Sequence, residues 1–143
     1  MTLSNLIGKS LEKIIVDHDT IRRLVAAAER NIADSKVAAV STENRFDAAY
    51  KAIMQIANAA LQANGYRTLT SKPGHHQTMI QLLSKTLGTD SNTVILLDVM
   101  RKQRNAADYS GDVVPESAVK ACITQAEQLL KHFNVWLTTK KRE

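Results

Sequence analysis

Residues 41–65, STENRFDAAYKAIMQIANAALQANG, carry the pattern that decides the fold class of this 143-residue chain. Apolar side chains recur three and four positions apart, which places them on one face of a helix of about six turns. They are Phe46, Ala49, Tyr50, Ile53, Ile56, Ala57, Ala60 and Leu61. Ser41 suits the N-cap of this helix, and Gly65 suits its C′ position. The pattern predicts a principal core helix whose aromatic residues are buried.

Similar periodic segments lie on both sides of this core helix. An apolar stripe weakened by Gly8 and a helix capped by Asp19 precede it, and the loop 66–74 follows it. The other predicted helices cover about residues 3–15, 20–34, 75–87, 91–110 and 115–137. No alternating pattern is long enough to predict a strand. The sequence therefore predicts an all-α, antiparallel up-and-down helical bundle of about four to five main helices, without a sheet, in a single domain that covers residues 1–143.

Composition narrows the class of protein. The single cysteine, Cys122, shares an apolar helical face, so we expect a buried structural thiol rather than a nucleophile. The longest aliphatic stretch, residues 24–28, is far shorter than the roughly 20 apolar residues of a membrane span. Residues 1–30 mix charged and apolar positions and show no signal-peptide core. We expect a cytoplasmic protein that makes no membrane contact.

Metal and phosphate-loop chemistry are not indicated by the sequence. None of His18, His75, His76 and His132 follows a glutamate by three positions or has a zinc-type spacing with Cys122. Neither of the common glycine-rich phosphate-binding motifs occurs. The sequence predicts no metal site and no cofactor.

The predicted helix 91–110 has a polar stripe opposite an apolar one. The apolar residues are Leu96, Val99, Met100 and Ala107, and the polar residues are Asp98, Arg101, Arg104, Asn105 and Asp108. Opposite charges lie three or four positions apart in the stripe, which is typical of a solvated, self-paired helix face. The net charge of +5 and the pI near 9.5 instead favour a polyanionic partner, although the terminal run 140–142 supplies part of that charge.

The segment 101–111, RKQRNAADYSG, resembles the motif of the HEPN domain family. Members carry an arginine, usually followed by a polar residue, and a histidine a few positions later, where one helix ends against the next. Arg104 and Asn105 look like the opening pair. The other similar stretches are RFDAAY (45–50), GYR (65–67) and PGHH (73–76). The resemblance covers about residues 10–137 and implies a helical bundle that acts with RNA, as a homodimer in which two Arg104 stripes meet.

The motif differs from the family pattern at one position. In RNase-active members a ribose 2′-hydroxyl attacks the neighbouring phosphate, which requires a proton acceptor and a cation. Arg104 would supply the cation. Tyr109 stands where the histidine is expected, and a phenol is a poor general base at neutral pH. The resemblance therefore implies either a degenerate, metal-independent endoribonuclease that uses Arg104, Asn105 and Tyr109, or a binding module in which Tyr109 stacks on a base.

Further side chains are candidates for contact with RNA. The predicted nucleic-acid-binding residues are Arg67, His75, His76, Arg101, Arg104 and Tyr109. His75 and His76 would supply the missing acid or base if the loop after Pro73 folded over the Arg104 stripe. They are also well suited simply to open and cap a short helix.

Two functions therefore remain open from the sequence. The first is an RNA- or nucleotide-associated module, with or without residual cleavage, that forms a homodimer. The second is a non-catalytic helical partner of a nucleotidyltransferase or of a toxin–antitoxin type protein. A neighbouring nucleotidyltransferase gene would favour the second.

Overall fold

The computed structural model describes residues 2–71 and 73–141. The helices are α1 (His18–Ser35), α2 (Thr42–Ala63), α3 (His75–Gln81), α4 (Leu83–Thr86), α5 (Ser91–Ser110) and α6 (Glu116–Lys141). A 3₁₀ turn (Leu3–Leu6) and two short strands, β1 (Leu11–Lys13) and β2 (Tyr66–Thr68), complete the described chain. The predicted all-α helical bundle is confirmed. Arg142, part of the basic terminal run, lies outside the described residues.

The helix α2 is the centre of the bundle, as its pattern predicts. The Ser41 hydroxyl accepts a hydrogen bond from the Asn44 amide at 3.3 Å, and Gly65 ends the helix with a φ of 88° that favours glycine. The short connection 36–41 turns the chain back, so that α1 packs along α2, and α6 packs on another side. Large apolar side chains of α2 and α6, such as Phe46, Ile53 and Phe133, are fully buried.

The predicted helix at residues 3–15 is wrong. Gly8 has a φ of 80°, which ends the 3₁₀ turn, and residues 11–13 continue as β1. This strand pairs antiparallel with β2, which lies inside the predicted loop 66–74. Leu11 is completely buried in the core, and this long-range pairing fixes a segment too short for its own periodicity to reveal. The expectation of no sheet is therefore also wrong.

Two helix caps differ from the predicted ones. The side chain of Asp17 accepts from the Asp19 amide at 3.0 Å, and that of Asp90 accepts from the Thr93 amide at 2.7 Å. Asp19 and Ser91 therefore lie inside their helices rather than at the caps. Both helices begin at the carboxylate that satisfies their first free amides.

The orientation of α5 about its axis is also different. Leu97 and Met100 are buried, whereas Leu96 and Val99 are 39% and 44% exposed. Residues 94–100, VILLDVM, offer apolar side chains in nearly every direction, so periodicity alone does not choose between two faces. The chosen orientation brings the polar stripe toward α2 and α3, against which α5 packs.

Two expectations about the interior and the membrane are tested directly. Cys122 is buried, and burial raises the pKa of its thiol to about 12, as expected for a structural thiol. Within residues 2–71 and 73–141, the structure contains no helix that combines the length and the apolar character needed to cross a bilayer.

The orientation of α5 predicts opposite results for two adjacent leucines. Leu97→Ala should lower the free energy of unfolding by about 2–5 kcal/mol, because it removes a fully buried side chain. Leu96→Ala should cost less than about 1 kcal/mol, since that side chain is partly in solvent. Urea denaturation of both variants measures the difference, and equal losses would contradict the orientation.

Candidate functional site

Side chains from three helices meet in one cleft. The guanidinium of Arg104, on α5, lies 5.7 Å from the ring centroid of Tyr50, on α2. The Tyr50 hydroxyl lies 3.3 Å from Nδ1 of His76, on α3. These residues line a cleft of about 300 Å³, here called the Arg104 cleft, together with Asp47, Lys51, Gln55 and Asn58. The first turn of α3 therefore reaches the arginine of the motif.

The Arg104 side chain is held in place from two sides. Its Nε lies 3.3 Å from the Asp47 carboxylate and 3.0 Å from that of Asp108. Its terminal amino groups donate no hydrogen bond to any residue that the structure describes. Arg104 is thus fixed through Nε, while the two-pronged end that suits a phosphate or carboxylate stays available.

A second ion pair supports the first. Nε of Arg101 lies 2.8 Å from Asp98, and this hydrogen bond is the main cause of the lowered pKa of the Asp98 carboxyl. The two ion pairs predicted from the spacing, Asp98–Arg101 and Arg104–Asp108, are confirmed. The polar stripe is not fully solvated, however, because the side chains of Arg101 and Asp98 are only 18% and 20% exposed. Both arginines are paired with carboxylates, so the ion pairs fix the positions of the guanidinium groups rather than give this face a net positive charge.

Tyr50 is a core residue, as predicted, that also takes part in the cleft. Its ring is buried, and burial raises the pKa of its hydroxyl to about 12, against the opposing influence of Arg104 and Arg101. The phenol therefore keeps its proton at neutral pH. A buried hydroxyl requires a partner, and His76 Nδ1 is the one that it has.

His76 is neutral in this environment. Burial lowers the pKa of its imidazole, and the neighbouring His75, Arg104 and Arg101 lower it further. His75 packs edge-on against it, with ring centroids 4.7 Å apart. A phenol is a more acidic donor than a neutral imidazole N–H, so we assign Tyr50 as the donor to Nδ1 and the imidazole proton to Nε2. His76 thus offers a second N–H donor beside Arg104.

The structure brings together only some of the predicted site residues. Arg104 and His76 share the cleft, with His75 and Arg101 beside them. Tyr109 is 85% exposed and does not line the cleft, because five residues turn an α-helix by about 140° from Arg104. Asn105 is half-buried and also outside the cleft lining. Within one copy, Arg104, Asn105 and Tyr109 form no common site.

Three polar side chains correct or extend the predicted site. Arg67 lies on β2, where it pairs with Glu12 on β1, and it is not part of the cleft. Arg45 and Asp47, on either side of the buried Phe46, also have defined partners, because Arg45 donates to the Ser35 carbonyl at 2.8 Å and Asp47 anchors Arg104. The available signal is the spacing of Asp47 and Tyr50, one turn apart on one helix.

Comparisons with known proteins give no relative from which a role could be transferred. No family model matches the chain, and no curated protein matches its sequence. Among the described residues, no three His, Cys, Asp or Glu side chains come together as possible metal ligands.

The lowered pKa of His76 predicts a dependence of stability on pH. The unfolded imidazole gains its proton first as pH falls below about 6.5, while the folded one resists protonation. The free energy of unfolding should therefore be constant above that pH and decrease as pH falls through the lowered pKa of the folded state. His76→Gln should flatten this decrease, and His18→Gln should not. Urea denaturation between about pH 7 and 5 measures it, and identical profiles for wild type and His76→Gln would contradict the assignment.

Proposed function

We propose that this chain is a HEPN-like module that binds RNA or a nucleotide in the Arg104 cleft, in the cytoplasm. The observation that carries the proposal is the convergence of Arg104 and His76 around the buried Tyr50 hydroxyl. The resemblance of the segment 101–111 to the HEPN motif supports the same arginine.

The chemistry of the cleft suits a phosphate group. The free end of the Arg104 guanidinium can donate two parallel hydrogen bonds to phosphate oxygens. The Nε2–H of His76 adds a donor from the other wall, and the Tyr50 ring holds the guanidinium by a cation–π contact. A bound phosphate would also favour protonation of His76, so binding should strengthen as pH falls toward the lowered pKa of this imidazole.

The same geometry favours binding over cleavage. A general base needs a free lone pair within reach of the attacking hydroxyl. In the assigned tautomer, Nδ1 of His76 accepts from Tyr50 and Nε2 carries the proton, so the ring has no free lone pair. A weak endoribonuclease activity requires His76 to leave Tyr50, or a second copy to supply Tyr109.

We further propose that the chain acts as a homodimer through α5. Ile95, Leu96 and Val99 form an exposed apolar strip on the helix that carries Arg104. Tyr109 and Val113, 85% and 82% exposed, lie near the end of the same helix. Adjacent exposed apolar side chains are typical of an interface that a second copy could cover. Arg104 lies five residues from Val99, about 140° around the helix, so this interface would not by itself bring two Arg104 stripes together.

The second candidate function is a helical partner of a nucleotidyltransferase or a toxin–antitoxin type protein. The apolar strip on α5 favours it as well, because a different protein could cover the same side chains. The two candidates differ in whether the isolated chain binds RNA.

The binding proposal predicts a loss of affinity without unfolding in Arg104→Gln. The substitution removes a partly exposed ion pair and a cation–π contact, which should cost about 1 kcal/mol of stability. Affinity for a fluorescently labelled single-stranded RNA should fall at least about tenfold, as expected for a lost charged hydrogen-bond pair. Fluorescence anisotropy and thermal melting measure the two effects.

Controls separate this role from others at the same helix. Arg104→Lys keeps the charge but not the two-pronged donor, so it should recover only part of the affinity. Tyr109→Ala should keep the melting temperature, and a loss of binding there would assign stacking to Tyr109. Equal affinity of wild type and Arg104→Gln for the RNA would overturn the proposal. If wild type cleaves the RNA and Arg104→Gln does not, the module is an endoribonuclease.

The homodimer predicts that Val99→Glu changes the oligomeric state. A carboxylate in the apolar strip would be desolvated on association, so the variant should be monomeric where the wild type is dimeric. Val37→Glu is the matched control, since Val37 is similarly exposed but lies after α1. Analytical ultracentrifugation measures both, and a monomeric wild type would refute self-association and favour a different protein partner.

A further inference from the structure

The Arg104 cleft continues across α2 into a second depression. This second cleft, of about 450 Å³, lies on the α1 side and is lined by Arg30, Asn31 and Asp34. Lys51 and Gln55 line both clefts and form the saddle between them. We call the two clefts and this saddle the extended groove. It connects Arg104 on α5 with Arg30 on α1.

The cations of the extended groove are available to a ligand. Lys51 and Arg30 form no ion pair with any residue between 2 and 71 or between 73 and 141. Some exposed basic residues outside the groove, such as Arg22 and Lys36, are paired with carboxylates. Others, such as Arg23 and Lys120, form no ion pair among the described residues and serve as controls. Asp47 and Asp34 are the acidic residues of the groove, and Asp47 is already engaged by Arg104.

Amide side chains surround these cations. On α2, Lys51, Gln55, Asn58 and Gln62 follow one another at helical spacing on one face. Asn31 donates to the Gln55 side chain at 2.8 Å, and Gln62 donates to Asn58 at 3.1 Å. In both contacts the accepting residue uses its carbonyl oxygen, so the NH₂ groups of Gln55 and Asn58 remain as donors. Such donors suit phosphate oxygens and the edges of unpaired bases.

We infer that a single RNA strand lies along the extended groove, from Arg104 across Lys51 and Gln55 to Arg30. This inference rests on the proposed RNA-binding function and specifies its surface and its minimum ligand. The strand has to cross the saddle on α2, and an α-helix with its side chains is about 10–12 Å wide, so we expect a ligand longer than one nucleotide to be needed to contact both arginines. Continuity with the Arg104 cleft favours RNA over an acidic peptide, because the lining combines cations that suit phosphates with amide donors that suit base edges.

The test compares two ligands of different length. The probes are AMP and a fluorescently labelled single-stranded RNA of about eight nucleotides, within the usual site sizes of single-strand-binding folds. Arg30→Gln, which changes only the second cleft, should weaken the RNA and leave AMP unaffected, whereas Arg104→Gln should weaken both. The double variant Arg30→Gln/Lys51→Gln should weaken the RNA further. The affinity for AMP is measured by competition with a labelled dinucleotide or by calorimetry.

Salt dependence gives the expected size of the effect. Each phosphate contact on a single strand contributes about 0.7 to the slope of log affinity against log salt, so a fourfold rise in salt costs about 2.6-fold per contact. If Arg30 and Lys51 each contact a phosphate, a fourfold rise in salt should weaken RNA binding by wild type about sevenfold more than it weakens binding by the double variant. Arg23→Gln/Lys120→Gln, which removes the same charge from exposed positions outside both clefts, should retain the wild-type slope.

The outcomes separate the two proposals. If Arg104→Gln weakens both probes while the Arg30/Lys51 double variant behaves like the charge-matched control, the extended groove is refuted and the Arg104 site stands. If no variant changes RNA affinity, both proposals fail. A polyglutamate peptide that competes with the RNA in wild type, but not in the double variant, would overturn the assignment of RNA as the occupant.

Discussion

Tyr50 lies where α2, α3 and α5 meet, and its buried hydroxyl is satisfied by a residue of another helix. His76 meets this requirement from α3, and Arg104 covers the ring from α5. An unpaired hydroxyl in this position would cost about 1–3 kcal/mol, so the requirement constrains how all three helices pack. The Arg104–Asp47 pair joins α5 to α2 in the same packing, whereas Asp108 lies one turn along α5 from Arg104. The candidate site is therefore part of the core rather than an addition to its surface.

The sequence predicts α2 well because one face of it is uniformly apolar and both caps are locally encoded. It predicts α5 less well, since residues 94–100 carry apolar side chains on nearly all sides. Which side is buried depends on neighbours distant in the chain, among them Tyr50. The strand β1 likewise depends on residues distant in the chain, because Leu11 enters the core only when β2 lies beside it. Local periodicity carries no information about such pairings.

For the candidate site, sequence reasoning finds the chemistry but not the arrangement. Arg104 and the histidine pair stand out by residue type and by resemblance to a known motif. Their proximity depends on the packing of α3 against α5, which no spacing in the sequence encodes. Tyr109 illustrates the converse, since its position in the motif suggests a role beside Arg104, whereas the helical turn directs it elsewhere. Lys51 and Arg30 carry no motif, and only the shape of the surface distinguishes them.

The attachment of α5 has a consequence for motion. This 20-residue helix buries only Leu97 and Met100 fully, with Val94 and Ala107 partly buried against the core, and it forms the Arg104–Asp47 ion pair with α2. Elements with few buried apolar contacts open locally at a small free-energy cost, well below that of global unfolding. Amide hydrogens of α5 would then exchange with solvent earlier than those of α2. An anion that links Arg104 to His76 would slow this exchange, and so couple occupancy of the cleft to the local stability of the helix that carries the apolar strip.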